Sequence, residues 1–176
     1  MTEPSMVEVT VARLGLDSAT NAYVVILRER EGRRVLPIWI GRPEAESIVM
    51  QMNNHKHARP LTHDLCKVLI TGLGGTLRRV NITRVQSSTY FAELHIETPR
   101  GLVEIDARPS DSIAIALRLS APVYAADNLF SEPDEDEDVD EPTPPLTPPV
   151  PSELTADALK AYLERLRPED FGRFMP

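Results

Sequence analysis

Between residues 131 and 152 the chain carries eight carboxylates, seven prolines and no basic residue. Such a stretch has little apolar surface to bury and strong self-repulsion, so an extended, disordered linker is expected there. That feature confines the core to the residues before it. One domain over 1–130 is expected, then the linker 131–152, then a C-terminal amphipathic helix and tail over 153–176. A chain of about 130 residues is long enough for one proper core. The linker also accounts for the charge. The chain has 27 acids against 19 bases, and setting the eight linker acids aside leaves 19 against 19. A neutral body admits a nucleic-acid partner without demanding one.

Within the body, Val7, Val9 and Val11 alternate with Glu8 and Thr10, the period of a half-buried strand. Tyr23 to Arg28 and Val35 to Ile40 follow as more apolar strands, with Glu31-Gly32 turning the chain between them, which predicts an antiparallel meander. Pro43 suits the first turn of a helix whose stripe is Ile48, Val49 and Met52, closed by Asn53 and Asn54. A second helix is expected from Thr62 as N-cap, with Leu65, Leu69 and Leu73 buried at i, i+4 and i+8 and Gly72, Gly74 and Gly75 ending it. A second strand set runs through Val80 and Ile82, then Tyr90 to Ile96, then Leu102 to Arg108. Its parity points Val103, Ile105 and Ala107 inward and Glu104, Asp106 and Arg108 outward. Pro109 stops that strand, and Ser110 is expected to cap a buried, largely apolar helix from Asp111 to Leu119. Val123 to Ala125 supplies a short last strand. The fold class is α/β of α+β type: a mostly antiparallel or mixed sheet with about three core helices. Leu159, Tyr162, Leu163 and Leu166 give the C-terminal helix a stripe that would dock on its own domain or on a protein partner.

The single Cys66 excludes an internal disulfide and fits a reducing compartment. No signal peptide and no run of about 20 apolar residues is seen, so no membrane partner and a cytoplasmic location are expected. Cys66 reads as packing. His55, His57 and His63 have no cysteine beside them, so a solvated loop is the simpler reading than zinc. Glu93, His95 and Glu97 read as a solvated sheet face. No phosphate loop, dinucleotide fingerprint or nucleophile elbow is present.

Two polar segments carry the candidate chemistry. In Arg59-Pro60-Leu61-Thr62-His63-Asp64, the helix start offers free N–H groups to an anion, His63 can move protons, and Asp64 can orient it or hold a metal. In Asp106-Ala107-Arg108-Pro109-Ser110-Asp111, two carboxylates flank an arginine, a set able to hold a hydrated divalent cation beside a phosphate. Taken singly, each is accounted for by a capped helix with an ion pair. Together they share one order: a basic residue, a proline, then a hydroxyl and an acid opening a helix. Two such corners could line one cleft.

RPLTHDL at 59–65 and DARPSDSIAIALR at 106–118 resemble the two signature segments of the bifunctional nuclease domain family, and LPIWIGRPEAESI at 36–48 resembles its first helix region. The resemblance covers roughly residues 6–130. It implies an α/β domain, a homo-oligomer, and nuclease activity toward RNA or DNA as attributed to some members. The polar residues of the signatures become site candidates by their chemistry: His63, Asp64, Asp106 and Asp111 as catalytic groups, Arg59, Thr62, Arg108 and Ser110 as phosphate contacts. Asp106, Asp111 and Glu44 are candidate ligands of a divalent cation (Mg or Mn). Ser112 stands where alanine is usual and Ile115 where leucine is usual. Downstream, the acidic linker and Pro168-Glu169-Asp170-Phe171 stand where some members carry a UVR-type helical motif. The alternative is a non-catalytic oligomeric binding or regulatory module that recognises a phosphorylated ligand, nucleic acid or a protein partner.

Overall fold

The alternation of the first strand runs into a β-bulge, and the bulge sets which side chains reach the core. The computed structural model describes residues 5–17 and 22–130. In β1 (Met6–Asp17) the register against β2 (Ala22–Glu29) shifts between Val11 and Arg13. The extra residue moves burial from the odd positions to the even ones, so Val9 and Leu14 are both core. β3 (Val35–Ile40) completes the first meander. It tolerates Pro37, which has no N–H to donate, because it lies at the edge of the sheet.

Next come α1 (Arg42–Met52) and α2 (Thr62–Gly72). A second meander follows: β4 (Thr76–Gln86), β5 (Thr89–Thr98) and β6 (Gly101–Ala107). After α3 (Pro109–Leu119), β7 (Val123–Ala126) runs antiparallel to β1 and parallel to β4. It joins the meanders into a seven-stranded mixed sheet of order β3-β2-β1-β7-β4-β5-β6. The expected three helices and mixed sheet are the observed architecture. The linker and the C-terminal helix lie outside the described residues. Among the described residues no helix is long and apolar enough to cross a membrane.

α3 is central. Ile113, Ala114, Ile115 and Ala116 are buried with Val25, Leu27, Val80 and Ile82 of the sheet, as its apolar circumference predicts. The other helices depart from the expected stripes. In α1, Ala45, Ser47 and Ile48 are buried and Met52 is exposed. In α2, Leu65, Leu69 and Leu73 point away from the core, and the inward residues are Cys66 and Ile70. Val103 and Ile105 share the helix-bearing face with Ile96 and Leu94, their partners across the strand, but β6 is an edge strand that none of the described helices covers, and both are exposed. His95 departs in the other direction. It sits on β5 between two neighbouring strands and is buried, with Asn81 Nδ2 3.0 Å from its Nε2 and the carboxylates of Glu93 and Glu104 at 3.6 and 3.4 Å.

Candidate functional site

Each of the three helices begins at a residue unable to use a hydroxyl cap, and this leaves first-turn groups free for other partners. α1 is capped by Gly41, α2 by Leu61 and α3 by Arg108, none through a side-chain oxygen of its own. Thr62 and Ser110 are thus not N-caps. They fall one and two residues inside their helices, Thr62 exposed and Ser110 buried. In α2 the cap comes from inside the helix, where the Asp64 carboxylate accepts a hydrogen bond from the Leu61 N–H at 2.9 Å.

The first turns of all three helices converge. Arg108 donates from Nε to Asp111 Oδ2 and from Nη2 to Glu44 Oε1, both at 2.8 Å. The other Asp111 oxygen lies 2.9 Å from His63 Nε2, and His63 Nδ1 lies 2.7 Å from Ser47 Oγ. A carboxylate only accepts, so Nε2 carries a proton, and whenever Nδ1 has none it accepts the Ser47 O–H. Glu44, Arg108, Asp111, His63 and Ser47 therefore form one chain of hydrogen bonds across α1, α2 and α3. Three helix N-termini add positive potential to the same place. A Cβ on Gly41 would stand 2.3 Å from Glu44 Oε2 and push the end of that side chain aside.

Beneath this chain lies a second tie. The Arg118 side chain, buried, donates from Nε to Asp64 Oδ1 at 2.6 Å, from Nη1 to Ala114 O at 2.9 Å, and toward Ser47 O at 3.4 Å. It holds the same three helices together. The Arg118 guanidinium, followed by the Leu61 N–H, keeps the Asp64 carboxyl below its ordinary value. Burial pushes the Asp111 carboxyl up, but hydrogen bonds from Arg108 and His63 outweigh it and hold the group low. The hydrogen bond to Asp111, reinforced by Glu44, raises Arg108 in turn.

The expected residues divide accordingly. His63, Asp111, Arg108 and Glu44 meet. Asp64 lies beside them but is committed to Arg118 and the Leu61 N–H. Arg59 is exposed in the turn before α2 and has no hydrogen bond or ion pair among the described residues. Asp106, opposite Glu93 on the sheet face away from the helices, is likewise unpaired and does not join Asp111. A cation held by Asp106, Asp111 and Glu44 does not fit this arrangement. Glu44 and Asp111 both close on Arg108, and among the described residues no three His, Cys, Asp or Glu side chains are grouped to hold a metal ion. Sequence reading missed Ser47 and Arg118. The signal for Arg118 was present, since a charge in an otherwise apolar buried helix must find partners. Nothing in the sequence marks Ser47, a small polar residue on the inward face of α1.

Residues 25–138 match the bifunctional nuclease domain profile. Uncharacterized protein Rv1829 of Mycobacterium tuberculosis is 36% identical over 171 residues, spanning 94% of this chain and 98% of that protein. Bifunctional nuclease 2 of Arabidopsis thaliana is 30% identical over 108 residues, covering 60% of this chain and 33% of its own length. Bifunctional nuclease 1 of Oryza sativa subsp. japonica is 26% identical over 110 residues, with 61% and 33% covered. This chain thus spans about a third of the plant relatives.

Proposed function

The chain belongs to the bifunctional nuclease domain family, and from that premise we propose that it hydrolyses phosphodiester bonds of RNA or DNA at the junction of α1, α2 and α3. The observation that carries this reading is the convergence of three helix first turns on a single, 67% exposed arginine, Arg108, beside the His63–Asp111 pair. An exposed guanidinium at helix N-termini suits an anion such as a phosphate. The reading assigns roles as follows. Arg108 turns from Asp111 to the phosphate, neutralising charge as it builds on the phosphoryl oxygens. Asp111 then loses the partner that most lowers its pKa. As water adds to phosphorus its proton passes to the freed Oδ2, while Oδ1 stays fixed by the His63 N–H; the P–O bond to the leaving sugar oxygen breaks, and that oxygen takes its proton from solvent. Ser47 holds the tautomer of His63, and Glu44 receives no bond from Arg108 in that state and helps exclude a second anion. No step passes through a metal ion.

The test is cleavage of fluorophore-labelled single-stranded RNA and DNA by tag-free protein. Asp111→Asn and His63→Gln are expected to lower kcat about 100- to 10,000-fold. Arg108→Ala raises KM as well. Undiminished cleavage by folded Asp111→Asn and Arg108→Ala proteins would place the chemistry elsewhere. A second reading has one observation in its favour: every polar group of the chain from Glu44 to Ser47 is already paired within the protein. A non-catalytic module binding a phosphorylated ligand through Arg108 would show a thermal shift with oligonucleotides and no turnover in any variant.

A further inference from the structure

The sheet face opposite the helices carries a groove that the junction does not use. It lies on the first meander and has a volume of about 290 Å³. Its floor is Val24, Ile26 and Pro37, and its ends are Trp39 and Arg13. The strand register puts them on one face: Val24 stands opposite Trp39 and Ile26 opposite Pro37, while Arg13 stands opposite Ile26 on the other side. Arg28, two positions beyond Ile26, continues the row.

Trp39 is the only tryptophan in the chain and is 54% exposed. Tryptophan is highly buried on average, whereas this indole stands on an open sheet face. Its orientation is fixed, because Nε1 donates to Asp17 Oδ2 at 3.2 Å. A ring tied at its edge and open to solvent is a ready stacking platform. Neither Arg13 nor Arg28 has an ion pair or hydrogen bond among the described residues. Arg30, Arg34, Arg108 and Arg118, by contrast, are engaged by carboxylates. Two unneutralised guanidinium groups on an apolar floor beside a fixed indole match the charge and the flat apolar faces of an unpaired polynucleotide. The strand that carries Trp39 runs directly into α1, capped by Gly41 two residues later, and Glu44 of that helix is the partner of Arg108.

We propose that this face is a subsite for single-stranded nucleic acid, with a base stacked on Trp39 and backbone phosphates on Arg13 and Arg28. The assignment rests on the phosphodiester-hydrolase reading for its choice of ligand. A duplex cannot use the site, because its bases are already stacked on one another.

Trp39 reports on itself. Titrating the full chain with oligo(dT) and with oligo(U) of 12 nucleotides, about the span of one single-strand site, is expected to quench tryptophan fluorescence saturably. A duplex of the same length leaves it unchanged. The two oligonucleotides separate a DNA from an RNA preference. By anisotropy of labelled oligonucleotide, Trp39→Ala raises Kd about 5- to 150-fold and Trp39→Phe largely restores it. Arg13→Gln and Arg28→Gln each lower the salt dependence of log Kd by about one. In cleavage assays Trp39→Ala raises KM and leaves kcat close to the parent. Absence of quenching, equal quenching by duplex, or an unchanged Kd in Trp39→Ala overturns the subsite, and cleavage abolished by Asp111→Asn would still support the junction. Quenching without any cleavage does the reverse: the subsite stands and the hydrolase assignment falls.

Discussion

At the residue scale the junction is governed by which charges have been taken out of water. Arg118 is almost wholly enclosed, so Asp64 stabilises the fold less by attraction than by preventing an unpaired buried cation. Replacing Asp64 with asparagine should cost about 3 kcal/mol at pH 7. The pH dependence has a definite sign. Asp64 is held below its ordinary value in the fold, so its contribution is present above the unfolded carboxylate pKa and lost as pH falls through the lower folded one. Urea unfolding at pH 7, 5 and 3 should therefore show parent and Asp64→Asn proteins converging as the pH drops. A gap that stayed constant across that range would mean Asp64 acts through something other than its charge. The network around His63 shows what the sequence could convey at this scale. His63, Asp111, Arg108 and Glu44 were recognisable as reactive types near helix starts. Ser47 was not, because a serine on a helix declares no partner until the neighbouring helix is in place.

At the element scale the sequence identified which segments are helix or strand more securely than which way they face. α3 was legible because it is apolar on all sides and any rotation buries it. α2 was not. Leu65, Leu69 and Leu73 form the more hydrophobic stripe, yet His63 must meet Asp111 and Asp64 must meet Arg118. Those two bonds fix the rotation of α2 and turn Cys66 and Ile70 inward. Polar contacts of the first turn thus override the apolar stripe, a tertiary constraint that periodicity does not carry. The consequence is measurable. Leu69→Ala should change unfolding free energy by no more than about 0.5 kcal/mol, and Ile113→Ala in α3 should cost about 2–5 kcal/mol. A large loss at Leu69 in a monomeric preparation would contradict the observed rotation. Misreading β6 has a similar origin. Alternation told correctly that Val103 and Ile105 share a face with the core, but position at the sheet edge, which depends on strand order, decides whether that face is covered.

At the scale of the whole molecule, strand order is what the sequence withheld, since the parallel pairing of β7 with β4 joins segments far apart in the chain. Once the order is known, the two edges of the sheet differ. β3 is protected by Pro37. β6 has no proline, and Leu102, Val103 and Ile105 are exposed on it, while Leu65, Val68, Leu69 and Leu73 are exposed on α2. Exposed apolar surface on this scale calls for an occupant, and the body, with 15 bases against 14 acids over residues 1–130, has little net charge to keep two copies apart. Edge-to-edge pairing of two β6 strands is disfavoured, because it would set Glu104 and Asp106 of one copy near those of the other. Packing of the helix-bearing apolar sides against each other has no such penalty and is self-complementary about a two-fold axis. The prediction is that the full chain runs in light scattering at twice its 19.6 kDa mass or more at micromolar concentration. Leu69→Glu with Val103→Glu, both at exposed positions that the monomer tolerates, should return it to the monomer mass with an unchanged far-UV spectrum. A parent protein that is already monomeric would refute self-association. An oligomer that survives both substitutions would place the contact on another face.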